Sequence, residues 1–162
     1  MSQIIQSLAN AILAGRNALL READRLFRPF GISAAHFNVL NLLECEPKGL
    51  RPSILTRALL VDPSSTTYLL DQMERRGWLR RADDPDDRRA CRIILTPSGR
   101  RLHAKVLPLY LEAQAHLEAA LKISDPTELL RVLELLPNAA ATVTETLRAR
   151  PVREKSTARQ PK

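Results

Sequence analysis

The sequence predicts a mainly α-helical fold with one small β-hairpin. Two observations carry this prediction. Apolar residues make up 44% of the 162-residue chain but aromatic residues only 4%, so Leu and Ala dominate the core and favour helices. Apolar positions recur at spacings of three, four and seven along most of the chain, except in one stretch near residues 78–95 that reads as two short strands around an acidic tip. The length suits one ordinary domain or two intimate subdomains.

The first helix is expected over residues 3–28, with Ile4, Ile5, Leu8, Ile12, Leu19, Leu20, Leu26 and Phe27 forming one stripe. Pro29 and Gly31 end it. Ser33 caps a second helix whose inner face holds Phe37, Leu40 and Leu43. A short third helix starts at Pro52 and turns Leu55 and Leu59 inward. Val61 and Asp62 form a tight turn. Asp62 then caps a fourth helix, with Pro63 at its first position and Gly77 closing it.

Next come "WLRRA" and "RACRIIL", expected as strands separated by the acidic loop "DDPDD". A lone hairpin is marginal in water, so it must lean on the helices before it. Thr96 and Pro97 open a fifth helix that runs to about Lys122, with a kink expected ahead of Pro108. Asp125 caps a sixth helix, with Glu128 placed to reach back to the cap and Pro137 expected to interrupt it.

Two short helices, a tight turn and a charged hairpin make a winged helix-turn-helix. A helix fits the DNA major groove, and its N-terminal residues reach the base edges. The fourth helix opens with Ser64, Ser65, Thr67 and Tyr68, with Gln72 and Arg75 further along. Leu69, Leu70 and Met73 hold its other side to the core. In the hairpin, Arg88 and Arg89 are positioned for a minor groove, where negative potential favours guanidinium. Asp87 is expected to pair with an arginine and steady the tip. Arg75, Arg76, Arg80 and Arg81 read either as a solvated face or as phosphate contacts.

Net charge is +7, and the last twelve residues contribute about three of these charges through Arg153, Lys155, Arg159 and Lys162 against Glu154. A basic balance permits a nucleic-acid partner. No apolar run approaches the roughly 18 residues of a membrane span, and the first ten residues lack a secretory pattern. Cys45 and Cys91 make no disulfide framework, so a cytoplasmic protein with reduced thiols is expected. Nothing resembles a phosphate loop, a metal-binding His pair or a nucleophile elbow, so neither an enzyme nor a cofactor or metal site is expected.

The stretches "DPSSTTYLLDQMERRGWLRR" and "DDRRACRIILTPSG" resemble the MarR family of multiple-antibiotic-resistance regulators. Asp87, Arg89, Leu95, Thr96 and Gly99 match the family's wing pattern, and "GISAAHFNVLNLL" is similar to its second helix. The resemblance covers roughly residues 5–148 and departs at Arg51, where a helix-capping Ser or Thr is frequent, and at Tyr68 and Gln72, where a basic residue is common. It implies a homodimer on a palindromic double-stranded operator. It also implies transcriptional regulation, often repression, relieved by a small aromatic or lipophilic ligand. His36, Asn38 and His103 are candidate polar contacts for that ligand. The implied organisation is a helical dimerisation region over 1–32 and 97–150, a DNA-binding lobe over 33–96, and a disordered basic tail over 151–162. A protein-binding winged-helix adaptor and a ligand-independent DNA-binding protein are the alternatives.

Overall fold

The computed structural model describes residues 7–59, 62–85, 87–122 and 124–148. Among the described residues, six α-helices and one antiparallel hairpin appear in the order α1 (Leu8–Phe27), α2 (Ala34–Glu44), α3 (Pro52–Leu59), α4 (Pro63–Arg75), β1 (Leu79–Asp84), β2 (Asp87–Leu95), α5 (Pro97–Leu121) and α6 (Pro126–Arg148), with a single 3-10 turn, Arg28–Phe30, between α1 and α2. The chain divides into two compact units, Met1–Glu112 and Ala113–Lys162. Ser7 stands outside the helix and caps α1, accepting the N–H of Asn10, while the expected helical residues 3–6, the turn residue Val61 and the basic tail lie outside the described residues.

The first unit has a continuous core. Phe27 from α1, Phe37 and Leu40 from α2, Leu55 from α3, Leu70 and Met73 from α4, Ile93 and Leu95 from β2 and Val106 from α5 are all buried. Phe37 is its hub, with its ring 4.9 Å from both Phe27 and Tyr110. Local chemistry sets the helix starts. Ser33 accepts the N–H of His36 to cap α2, Asp62 accepts that of Ser65 to cap α4, and Thr96 Oγ1 accepts that of Gly99 to open α5. The carboxylate of Asp24 in α1 also accepts the N–H of Ala34 at 2.7 Å, which ties α1 to the first turn of α2.

The hairpin runs in antiparallel register from Leu79↔Leu95 to Asp84↔Asp87, with an irregularity between Asp83 and Asp84. Here the acidic loop must be redrawn: Asp83 and Asp84 end β1, and Asp87 begins β2. Asp is a poor strand former in isolation, but pairing across the hairpin and a buried partner set overcome that preference. The wing root is anchored by a bridge in which Leu50 and Ile93 exchange N–H···O bonds of 3.1 and 2.8 Å. Gly49 allows that approach: its φ is +77°, and a Cβ there would stand 2.5 Å from the Ile93 carbonyl oxygen.

Two further expectations change. α6 continues as helix straight through Pro137, where an interruption was expected, and α5 likewise carries Pro108 within its span. Each proline removes one donor, while the turns on either side keep their own bonds. At the start of α6, Asp125 does accept the N–H groups of Thr127 and Glu128. Glu128 does not reach back to the cap, because Arg131 holds it through two bonds of 2.7 and 2.8 Å. Taken by itself, the second unit exposes Leu129, Leu130, Val132, Leu133, Leu135 and Val143 along α6.

Candidate nucleic-acid interface

The exposed start of α4 is organised around one carboxylate. Asp62 accepts the hydroxyl of Ser64, the hydroxyl of Ser65 at 2.6 Å and the backbone N–H of Ser65 at 2.9 Å. The Ser64 and Ser65 hydroxyls, with that N–H, hold the Asp62 carboxyl well below the usual carboxylate range, so it is ionised at any physiological pH. Thr67 donates its hydroxyl to the Pro63 carbonyl at 2.9 Å. Thr66 turns inward, buried, and donates to the Asp62 carbonyl.

Thus Ser64, Ser65 and Thr67, all exposed, spend their hydroxyl protons within the helix start. They face outward with lone pairs free to accept. Such groups suit exocyclic amino groups on base edges better than phosphate oxygens, which need donors. Tyr68 is 63% exposed, Arg75 is exposed and Gln72 is half-buried.

The arginines around the wing divide by role. Arg76 lies 4.9 Å over the Trp78 ring and donates to the Gly31 carbonyl at 2.7 Å. Arg81 bonds Asp71 at 2.6 Å and also pairs with Glu74, which fastens β1 to α4. Arg75, Arg80 and Arg89 are exposed. Asp87 Oδ1 accepts the backbone N–H of Arg89 at 3.0 Å, so it shapes the tip through the main chain. Arg88 belongs to β2, and its side chain lies outside the described residues.

Sequence reasoning missed the buried end of β1. The Asp84 side chain is fully buried, and its Oδ2 stands 2.6 Å from Arg51 Nε and 3.2 Å from Arg92 Nε. The only hint was Arg51 at a position where a capping hydroxyl is usual.

A cleft of about 330 Å³ lies beside α4, lined in part by Arg16, Leu20, His36, Asn38, Tyr68 and Gln72. His36 and Asn38 therefore meet at one site. His103 does not: it is buried, stacks on Phe37 and bonds Asn41 at 3.1 Å. The Ser33 backbone N–H donates to His36 Nδ1 at 3.0 Å. A backbone amide can only donate, so the neutral ring carries its proton on Nε2. That Nε2 is buried and has no hydrogen-bond partner among the described residues. Gln72 sits near enough to favour the protonated ring, though not in bonding geometry with Nε2.

Burial and the nearby Arg76 push the His36 pKa below the ordinary imidazole value, outweighing Gln72 and Asp24. The unfolded chain therefore takes up this proton first. The resulting stability is present above about pH 6.5 and is lost as pH falls through the lower folded value. The melting temperature should fall between pH 7 and 5 more steeply in the parent than in His36→Gln. Parallel profiles would remove His36 as the cause.

Among the described residues, no group of three or more His, Cys, Asp or Glu could hold a metal ion, and no helix is long and apolar enough to cross a membrane. Cys45 and Cys91 are free thiols, the first exposed and the second half-buried.

Residues 30–90 match a family model described as MarR family. The HTH-type transcriptional regulator PecS of Dickeya dadantii is 31% identical over 115 residues, which cover 70% of this chain and 69% of PecS. The transcriptional repressor MprA of Escherichia coli K12 is 29% identical over 122 residues, covering 75% of this chain and 69% of MprA. Among solved structures, the Mycobacterium tuberculosis transcriptional regulator MosR, crystallised in complex with DNA, superposes with a TM-score of 0.72 at 26% identity, covering 85% of this chain and 98% of that one.

Proposed function

The chain belongs to the MarR family, and on that footing we propose that it is a homodimeric repressor that grips a palindromic operator and releases it when a small aromatic or lipophilic ligand binds. In kind it is a DNA-binding transcriptional regulator. One observation carries the reading furthest: a helix with an exposed polar start (α4) and an arginine-bearing hairpin belong to one unit with a shared buried core. The relative MosR, solved on DNA, shares that architecture at 26% identity.

In this reading Ser64, Ser65, Thr67, Tyr68 and Gln72 meet base edges in the major groove. Arg75 meets phosphate, and Arg88 and Arg89 enter the neighbouring minor groove. Residues 33–96 act as the DNA-binding lobe, and 1–32 with 97–150 as the dimerisation region. A ligand in the cleft at His36 and Asn38 presses on Tyr68 and Gln72, which line the same cleft and belong to α4. Occupancy and DNA contact then compete for one helix. The mechanism has no catalytic step and suits a cytoplasmic protein.

A gel-mobility assay on the DNA upstream of its own gene tests the reading. Binding should weaken steeply with salt, log K falling by about 0.9 per log unit of salt for each phosphate neutralised. Arg89→Ala and Thr67→Ala should each weaken binding by roughly 10-fold or more, in line with about 1–3 kcal/mol per lost contact. If both variants bind like the parent, the assigned surface is wrong.

A further inference from the structure

We propose that Asp84 is a positioning residue that sets where the wing arginine stands relative to the recognition helix, acting through Arg51 at the start of α3. The inference rests on the DNA-binding reading above and deepens it.

Leu79 and Asp84 are buried at opposite ends of β1, at 1% and 2% exposure. They are five residues apart, so strict strand alternation would send them to opposite faces. The register irregularity between Asp83 and Asp84 resolves this: there β1 advances one residue while β2 advances four, from Cys91 to Asp87, so the hairpin bends and strict alternation fails at Asp84. Asp84 is thereby turned beneath the wing, with none of its side chain exposed.

There, among the described residues, Arg51 and Arg92 bring guanidinium groups to it from different parts of the fold. Arg92 comes from β2, opposite Ala82, and closes the hairpin on itself. Arg51 comes from the segment before α3, and its carbonyl accepts the N–H groups of Ile54 and Leu55 in the first turn of that helix. The carboxylate therefore joins the far end of β1 to the first helix of the helix-turn-helix. The Leu50–Ile93 bridge fixes the wing root one residue away from Arg51, and Arg81 fixes the other end of β1 to α4 through Asp71 and Glu74. Held at both ends, the hairpin presents Arg89 at a set height.

A carboxylate stripped of water is costly to bury, and an apolar residue would pack there more cheaply. The compensation is directional: Arg51 Nε donates to Asp84 Oδ2 at 2.6 Å and Arg92 adds its charge at 3.2 Å, a fixed geometry that an apolar contact does not supply. The arrangement accounts for arginine at position 51, where a capping hydroxyl would serve α3 alone.

The test is a double-mutant cycle on a 30-base-pair duplex selected from a random pool by the parent protein. In the parent background, Arg89→Ala should weaken binding roughly 10-fold or more. In Asp84→Asn, which removes the ionised anchor at the tip end of the hairpin, the same Arg89→Ala change should cost less than about 3-fold. Arg51→Ser provides a second background in which Arg92 still neutralises the carboxylate, so it decides the matter if Asp84→Asn folds poorly. It should also shrink the Arg89→Ala effect.

A mere loss of stability would leave the Arg89 increment unchanged in these backgrounds, so additive effects overturn the proposal. It is equally overturned if Arg89→Ala costs nothing in the parent, since the carboxylate then positions nothing that touches DNA. If the parent enriches no duplex, the DNA-binding reading itself fails and takes this inference with it.

Discussion

A protein carrying Leu130→Glu and Leu133→Glu is expected to run as a monomer and to bind a palindromic duplex about 100- to 10,000-fold more weakly than the parent. In the chain taken by itself, α6 exposes Leu130 at 59%, Leu133 at 40% and Leu129 at 40%. These residues recur at spacings of three and four, so they share a helix face. A soluble protein rarely leaves so large an apolar face to water unless another molecule covers it.

In the proposed dimer that molecule is the second copy, and burying each leucine is worth about 1.5–3 kcal/mol. Two buried glutamates would forfeit this gain and add a desolvation cost. Binding to a palindrome by two linked lobes depends on effective concentration, which a monomer lacks. Light scattering reads the assembly state, and titration against full and half operators reads the affinity. Binding to a half operator should be nearly unchanged. A variant that remains dimeric would remove α6 from the interface.

Gly99→Ala should destabilise the fold by about 3 kcal/mol, a fall in Tm of about 10 °C. A Cβ at position 99 would stand 2.0 Å from the Trp78 carbonyl oxygen and 3.0 Å from Leu95 Cδ2. The carbonyl cannot retreat freely, because it accepts the N–H of Thr96 at 3.1 Å. Thr96 is itself held, donating its hydroxyl to the Gly77 carbonyl at 2.6 Å and accepting the N–H of Gly99. Gly77 follows α4, Trp78 precedes β1 and Leu95 ends β2. One added methyl group would therefore push apart the recognition helix, the wing and α5 at their common junction. Thermal unfolding measures the effect, and a Tm within 1 °C of the parent would show that the junction yields easily.

Much of this was legible in the sequence because capping and turning are local. Ser33, Asp62, Thr96 and Asp125 each lie one residue before a helix and bond N–H groups of its first turn. Cys91, Ile93 and Leu95 alternate as a half-buried strand should, and both Ile93 and Leu95 are buried. The candidate site was legible in outline for the same reason, since the polar residues that open α4 are indeed exposed.

What stayed hidden depended on partners distant in the chain. Arg75, Arg76, Arg80 and Arg81 look alike in sequence. Yet Arg76 is spent on Trp78 and Gly31, and Arg81 on Asp71 and Glu74. His36 and His103 looked equally suited to a ligand, but one lines the cleft and the other bonds Asn41 within the core.

By itself the sequence determined the helix starts, the strand pair and the polar tip of α4, because short-range hydrogen bonding and apolar periodicity specify these within a few residues. Tertiary structure alone decided which charges face outward and which are locked, and it placed Asp84 beneath the wing. A carboxylate's local preference is for water and a turn. Arg51, 33 residues earlier in the chain, and Arg92 across the hairpin make burial the lower-energy choice.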